Sequence, residues 1–183
     1  MKRLIVKLLL STIVATTLLS AQDYKTNDED LFGIFQIMGG SSQNYTDVST
    51  FGFGMRVAFP AVGENLYLGL MADAQIFTDG ASTGHIGLAM NVRIVDELFI
   101  TASYGWAAGY GDINSTSADA TGNFYDVGLQ YQLSQYVGFG LFYRDTSFTT
   151  VSGATVNEQE IHYSFNLAMT RETWMFFDLL FDN

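Results

Sequence analysis

The chain has 183 residues but no cysteine, a single proline and only eight lysines and arginines. Without cysteine, neither a disulfide framework nor a thiolate metal site can form. Nineteen aspartates and glutamates outweigh the basic residues and give a formal net charge of -11 at pH 7. Binding to nucleic acid depends on clustered basic side chains that meet phosphates. We therefore expect no nucleic-acid partner.

The first 21 residues have the three parts of a secretory signal peptide. Lys2, Arg3 and Lys7 form a basic start, an apolar run follows from 8 to 19, and Ser20-Ala21 supplies small residues before the expected cut. An uncleaved membrane anchor is the alternative, although the run is short for a spanning helix. We predict a signal peptide at 1–21 and a polar lead-in at 22–30. Cleavage would remove three of the eight basic residues and leave five.

The chain is rich in alternation with a period of two. Between 85 and 94, every second residue from Ile86 to Ile94 is apolar, and the residues between them are glycine, small or polar. Side chains alternate between the faces of a strand, so such a segment predicts a strand with one apolar face. The segments with this pattern lie near 31–40, 50–59, 66–77, 85–94, 98–110, 123–133, 136–146 and 160–169. Fifteen Phe, ten Tyr and eighteen Gly fit such a strand-rich chain.

The links between these segments alternate in length. Long polar links are expected at 41–49, 78–83, 111–122 and 147–159, and short ones at 60–65, 95–97 and 134–135. In the first short link, Pro60 is expected to end its strand. This alternation is typical of transmembrane barrels, which have short periplasmic turns and longer external loops. We predict an all-β, antiparallel up-and-down transmembrane β-barrel of eight strands over residues 31–170, with its N-terminus in the periplasm.

Two alternatives to this barrel remain at the level of the sequence. A secreted β-sandwich also alternates, but its outer faces should carry more charge than the Gly, Ala, Ser, Asn and Gln found here. The tail at 171–183 alternates again through Met175, Phe177, Leu179 and Phe181. It is either an apolar segment at the inner interface or an extra strand, so a barrel of nine or ten strands stays open.

Two segments, 51–59 and 137–144, carry a resemblance to known proteins. Their alternation of glycine with Phe, Met, Val, Leu and Tyr resembles the small outer-membrane β-barrel families of Gram-negative bacteria, the OmpX-like and OmpA-type barrels. The resemblance covers about 31–170 and consists of a pattern without a diagnostic motif. It implies a fold and an outer-membrane location. We separately expect contact with outer-membrane lipid and lipopolysaccharide, a monomer, and no cofactor.

Several charged side chains fall on the polar face and would project into the barrel lumen. They are Arg56, Asp73, Arg93, Asp126, Arg144, Glu160 and His162. Counting back from the short link at 134–135 places Asp126 almost opposite Arg144, which predicts an ion pair. Side chains fill the interior of an eight-stranded barrel, so these charges must pair or hold water. The set is interpreted as a structural polar core, or alternatively as the lining of a narrow pore for small solutes.

The expected external loops are acidic and contain no lysine or arginine. Their carboxylates are Asp47, Asp79, Asp112, Asp119 and Glu158. They form either a solvated, repulsive surface or an interaction site that shares divalent cations with lipopolysaccharide or binds a basic partner. No loop has the spacing of an EF-hand, so no metal site is assigned. The expected function is a structural or surface-interaction role.

One short motif raises the question of catalysis. His162-Tyr163-Ser164 is similar to the His-x-Ser core of lipid A deacylases of the PagL type, which are also small outer-membrane barrels. In that family an asparagine directly follows the serine, whereas here Phe165 precedes Asn166. The alternation also turns His162 and Ser164 inward, away from a lipid substrate. We therefore predict that the protein is not an enzyme.

Overall fold

The computed structural model describes residues 32–44, 47–62, 65–113, 116–117, 119–134 and 136–168. The expected signal peptide (1–21), lead-in (22–30) and tail (171–183) lie outside these residues. The described residues form ten strands: β1 (Phe32–Ser42), β2 (Ser49–Val62), β3 (Leu66–Phe77), β4 (Ser82–Val95), β5 (Leu98–Tyr110), β6 (Asp112–Ile113), β7 (Thr116–Ser117), β8 (Ala120–Gln132), β9 (Val137–Thr150) and β10 (Thr155–Ala168).

Eight of these strands close into an antiparallel barrel in the order β1-β10-β9-β8-β5-β4-β3-β2. The barrel closes between β1 and β10, which pair from Ile34↔Ala168 to Ser42↔Glu160. The two-residue strands β6 and β7 pair only with each other, in the link between β5 and β8. The predicted eight-stranded up-and-down barrel is confirmed, and the open sandwich is excluded. Within the described residues, no helix is long and apolar enough to cross a membrane.

The barrel is apolar on its outer wall and polar inside. On the outside, Leu88 is 68% exposed and Trp106 71% exposed, whereas Arg144, Asn91 and Thr101 are completely buried. A water-soluble protein shows the opposite distribution, because burying charge and exposing large apolar side chains both cost free energy in water. In a bilayer the same distribution is favourable, since the hydrocarbon meets the apolar wall.

β1 departs from the usual division between the two faces. Its inward side chains include Ile34 and Met38 as well as Gln36, and all three are buried. In the sequence, the apolar Ile34 and Met38 share a face with Gln36, so the alternation of this segment is irregular. The structure explains this irregularity: part of the lumen wall on β1 is itself apolar.

Several barrel strands extend beyond their predicted boundaries, and β2, β9 and β10 show this most clearly. β2 does not end at Pro60 but continues to Val62, with an irregular register between Pro60 and Val62 as it pairs with β3. A proline near a strand end at such an irregularity is tolerated, because its missing N–H removes no regular ladder bond. The expected long link 147–159 is also wrong, since β9 and β10 remain paired up to Thr149↔Thr155 and leave only residues 151–154 between them.

The two ends of the barrel differ in the links between their strands. The links after β1, β3, β5 and β9 lie at the long-link end, and the links after β2, β4 and β8 lie at the short-link end. The links after β1 and β5 are the longest. Because β9 and β10 extend beyond their predicted ends, the link between them is as short as the link between β8 and β9 at the short-link end.

A charge on the outer wall tests the assignment of the two faces. Leu88 lies near the middle of β4 and faces outward. Leu88→Arg should lower the free energy of unfolding in lipid vesicles by about 2–4 kcal/mol, the cost of an arginine at the bilayer midplane. Denaturant titration of the refolded protein measures this loss. Leu88→Ala is the control, and an equal loss in both variants would contradict a lipid-facing Leu88.

Candidate functional site

Every arginine in the described part of the chain points into the lumen. Arg56 comes from β2, Arg93 from β4 and Arg144 from β9. Arg56 and Arg144 lie in the middle of the barrel with Asp73 of β3 and Asp126 of β8, and all four side chains are buried. These four residues form the arginine–aspartate cluster.

The cluster is a continuous chain of ion pairs. Arg144 donates to Asp73 through two bonds, Nη2 to Oδ2 at 2.6 Å and Nη1 to Oδ1 at 3.0 Å. The same Nη2 lies 3.0 Å from Asp126 Oδ2, so the Asp126–Arg144 pair expected from the turn register is present. Arg56 Nη2 contacts both oxygens of Asp126, at 3.0 and 2.9 Å. Each aspartate therefore has a two-bonded contact with an arginine, and Asp126 links the two arginines.

The two ion pairs in which an arginine makes two bonds to one aspartate cross the lumen. In the closed ring of eight strands, β3 and β9 are four places apart, and so are β2 and β8. Arg144–Asp73 and Arg56–Asp126 thus join opposite walls of the barrel. An interior of eight strands is just wide enough for side chains to fill. The crossing pairs therefore occupy the middle of the lumen and hold four strands at fixed separations.

Aromatic rings cover the faces of both guanidinium groups. Arg56 Cζ lies 5.0 Å from the ring centre of Phe142, and Arg144 Cζ lies 5.1 Å from that of Phe124. Such cation–π contacts are stronger where the cation is desolvated. A Cβ on Gly128 would lie 2.5 Å from the Phe142 ring, so glycine at this inward position makes room for it.

Neutral side chains complete the surroundings of the cluster. Arg56 donates to Ser103 Oγ at 2.7 Å and to Gln36 Oε1 at 3.2 Å. The Nδ1 of His85 lies 2.7 Å from Asp73 Oδ1. Gln36, His85 and Ser103 were not among the predicted lumen residues. Alternation places these three residues on the inward face. The charged residue that each of them contacts depends on how the barrel closes.

The remaining predicted lumen residues lie outside this ion-pair chain. Arg93 donates to Tyr67 Oη at 2.8 Å near the short-link end, and its Cζ lies 5.6 Å from the ring centre of Tyr67 and 5.5 Å from that of Phe99. The ring of His162 is buried and stacks on Phe142, with 5.1 Å between ring centres. Glu160 is buried next to the cluster but forms no ion pair within the described residues.

The predicted external carboxylates do not all lie in exposed links. Asp47, Asp79 and Asp119 lie in links at the long-link end and are exposed. Asp112 belongs to β6, and its side chain is outside the described part. The placement of Glu158 in a loop is wrong: it lies in β10, faces inward and is only 3% exposed. The reason is the longer β9–β10 hairpin, in which Glu158 pairs with Thr146.

The His-x-Ser motif has no catalytic arrangement in the structure. Ser164 Oγ donates to Asn166 Oδ1 at 2.6 Å and accepts a bond from Gln36 Nε2 at 3.3 Å. A serine nucleophile needs a base within hydrogen-bond reach, and His162 forms no hydrogen bond with Ser164 in the described residues.

In the same residues, no group of three or more His, Cys, Asp or Glu side chains is arranged to hold a metal ion.

Comparison with known proteins gives similarity in structure only. No family model and no curated protein matches the sequence. The fold is similar to the N-terminal barrel domain of Pseudomonas aeruginosa OprF, at 12% identity, covering 77% of this chain and 98% of that one, with a TM-score of 0.55. A designed transmembrane β-barrel matches at 11% identity, 75% and 95% coverage and a TM-score of 0.54.

The attachment invasion locus protein Ail of Yersinia pestis matches at 12% identity. The match covers 75% of this chain and 99% of that one, with a TM-score of 0.51. Ail has also been crystallised in complex with the heparin analogue sucrose octasulfate. The expected resemblance to small outer-membrane barrels is thus confirmed at the level of the fold.

The two arginines of the cluster should contribute unequally to stability. Arg144→Met leaves Asp73 without an arginine partner, whereas after Arg56→Met Asp126 keeps Arg144. Removing one partner of a buried pair costs about 3–5 kcal/mol when it leaves an uncompensated charge. We expect Arg144→Met to lose this amount of unfolding free energy and Arg56→Met to lose less, by denaturant titration in micelles.

Arg93→Met is the matched control for both variants, because Arg93 is inward but has no ion pair in the described residues. Its loss should be the smallest of the three. Equal losses in all three variants would show that the ion-pair chain does not contribute in the way its geometry indicates.

Proposed function

We propose that the protein is an outer-membrane barrel with a closed lumen, and that its role is structural or one of interaction at the cell surface. The two ion pairs that cross the lumen, Arg144–Asp73 and Arg56–Asp126, support this most directly. The apolar outer wall and the fold shared with outer-membrane barrels support the location. The signal peptide expected at 1–21 supplies the route of export.

The crossing ion pairs favour a closed lumen over a pore. A channel for solutes needs a continuous water-filled path, with binding weak enough for the solute to leave. Here the arginine–aspartate cluster joins opposite walls, and phenylalanine rings cover both guanidinium groups. Opening a path would require breaking buried, two-bonded ion pairs. A narrow pore gated by these residues is the second candidate function.

The long-link end is the surface that we propose for interaction. The arginines of the described residues all lie in the lumen, so the exposed ionic side chains at this end, Asp47, Asp79 and Asp119, are all acidic. Ail binds a sulfated heparin analogue; an acidic end would instead repel such a polyanion. We propose a partner with basic groups, or lipopolysaccharide held through divalent cations. The closed sheet leaves no strand edge for pairing, which supports a monomer.

The absence of cysteine makes the proposed orientation directly testable. Asp119→Cys and Asp96→Cys each introduce one thiol, at the long-link and short-link ends respectively. We expect a membrane-impermeant maleimide to label Asp119→Cys on intact cells and to label Asp96→Cys only after the cells are broken. Labelling of Asp96→Cys alone on intact cells would reverse the orientation.

The closed lumen is tested by electrical recording in planar bilayers. Refolded wild-type protein should give no single-channel steps, because the cluster fills the middle of the barrel. A known porin, inserted under the same conditions, shows that steps would be detected. Reproducible steps from the pure protein would contradict the closed lumen and favour the pore.

A further inference from the structure

Two glutamates face the lumen between the arginine–aspartate cluster and the long-link end. Glu158 and Glu160 occupy successive inward positions of β10, where side chains two residues apart lie on the same face. They are 3% and 1% exposed. Because β10 runs from the long-link end toward the short-link end, Glu158 lies farther from the cluster than Glu160. Together they place two carboxyl groups in an enclosed part of the barrel.

Neither glutamate has a basic partner in the described residues. The ion pairs found there involve only Arg56, Arg144, His85 and the two aspartates. With its amide assigned from the neighbouring groups, Gln75 donates from its nitrogen to Glu160 Oε2 at 2.8 Å and accepts through its oxygen from Arg144 Nη1 at 3.0 Å. Glu160 is the cross-strand neighbour of Arg144, but in the described residues their side chains form no direct ion pair and are bridged by this neutral amide. Burial of carboxylates without compensating charge is unfavourable.

Unpartnered oxygen atoms lie at the same place. Thr146 is the direct cross-strand neighbour of Glu158 in the β9–β10 ladder and is also an inward position, 0% exposed. Its Oγ1 has no hydrogen-bond partner within the described chain, and neither has Oε1 of Glu158. Buried polar atoms are normally satisfied, so these two neighbouring oxygens have the capacity to hold a ligand. Carboxylate and hydroxyl oxygens are the donors that hard cations prefer.

We propose that Glu158 and Glu160, with Thr146, bind one divalent cation such as Ca²⁺ inside the long-link end of the lumen. Its two positive charges would compensate the two carboxylates, and its remaining coordination positions would fall to neutral oxygens and water. Apolar side chains line the neighbouring part of the lumen. Phe148 is buried there in a group of hydrophobic side chains, and Val156 packs against that group. The site lies inside the barrel, separate from the exposed carboxylates proposed to meet a partner.

Equilibrium dialysis with radioactive Ca²⁺ tests this site on the refolded full-length mature protein in detergent. We expect one saturable site per chain. Glu158→Gln and Glu160→Gln should each weaken its affinity at least tenfold, and Thr146→Val, which removes only the hydroxyl, should weaken it several-fold. Heat-modifiable gel migration verifies that each variant has folded.

Controls on the exposed carboxylates separate this site from the surface. Asp47→Asn and Asp119→Asn remove charge at the same end of the barrel and should leave the saturable site unchanged. The proposal is overturned if the wild type shows no saturable site. It is also overturned if folded Glu158→Gln and Glu160→Gln bind Ca²⁺ as the wild type does, or if only the surface variants lose the site. None of these results depends on whether the surface binds a partner.

Discussion

The contact between Arg144 and Asp73 is the interaction on which the interior depends. Arg144 makes two short bonds to an aspartate on the opposite wall and a third to Asp126, which itself binds Arg56 from another side. A buried ion pair is favourable only when its geometry is good and its remaining hydrogen-bonding capacity is satisfied. Here the crossing geometry, the phenylalanine rings over both guanidinium groups and the neutral acceptors Ser103 and Gln36 meet most of that requirement, and only Nε of Arg144 is left without a partner among the cluster's nitrogens in the described residues.

The distribution of residues around this interaction follows from the solvent on each side. Glycine and other small residues at inward positions leave space for arginine and phenylalanine side chains, as Gly128 does beside Phe142. The outer wall has no such constraint and carries large apolar side chains instead. Because every arginine of the described residues is used inside, the surface at the long-link end is left acidic. The charged interior and the acidic surface thus both follow from the position of the arginines inside the lumen.

The sequence predicted those features that depend on short-range order. Period-two alternation located all eight barrel strands, and β3 and β5 have the expected bounds, because a bilayer requires a continuous apolar face. The Asp126–Arg144 pair was predictable since one short link fixes the register of its hairpin. The extension of β9 and β10 was missed, because residues 147–159 are mostly polar and lack the apolar alternation of a lipid-facing strand. Glu158 was consequently assigned to the wrong environment.

The crossing contacts were not predictable for a different reason. Arg56 meets Asp126, and Arg144 meets Asp73, only after β1 has paired with β10 in one register. That register sets which inward side chains lie at the same height on opposite walls. Alternation reports the face on which a residue lies but not its height relative to a distant strand. His85 and Ser103 went unrecognised on the same ground.

The most direct test of this account is a double-mutant cycle between Asp73 and Arg144. Unfolding free energies of the wild type, Asp73→Asn, Arg144→Met and the double variant would be measured in lipid vesicles. Direct contact across the lumen predicts a coupling energy of about 1–3 kcal/mol, the upper part of the range for contacting residues. Additive losses, with a coupling energy near zero, would contradict an interior organised around this ion pair.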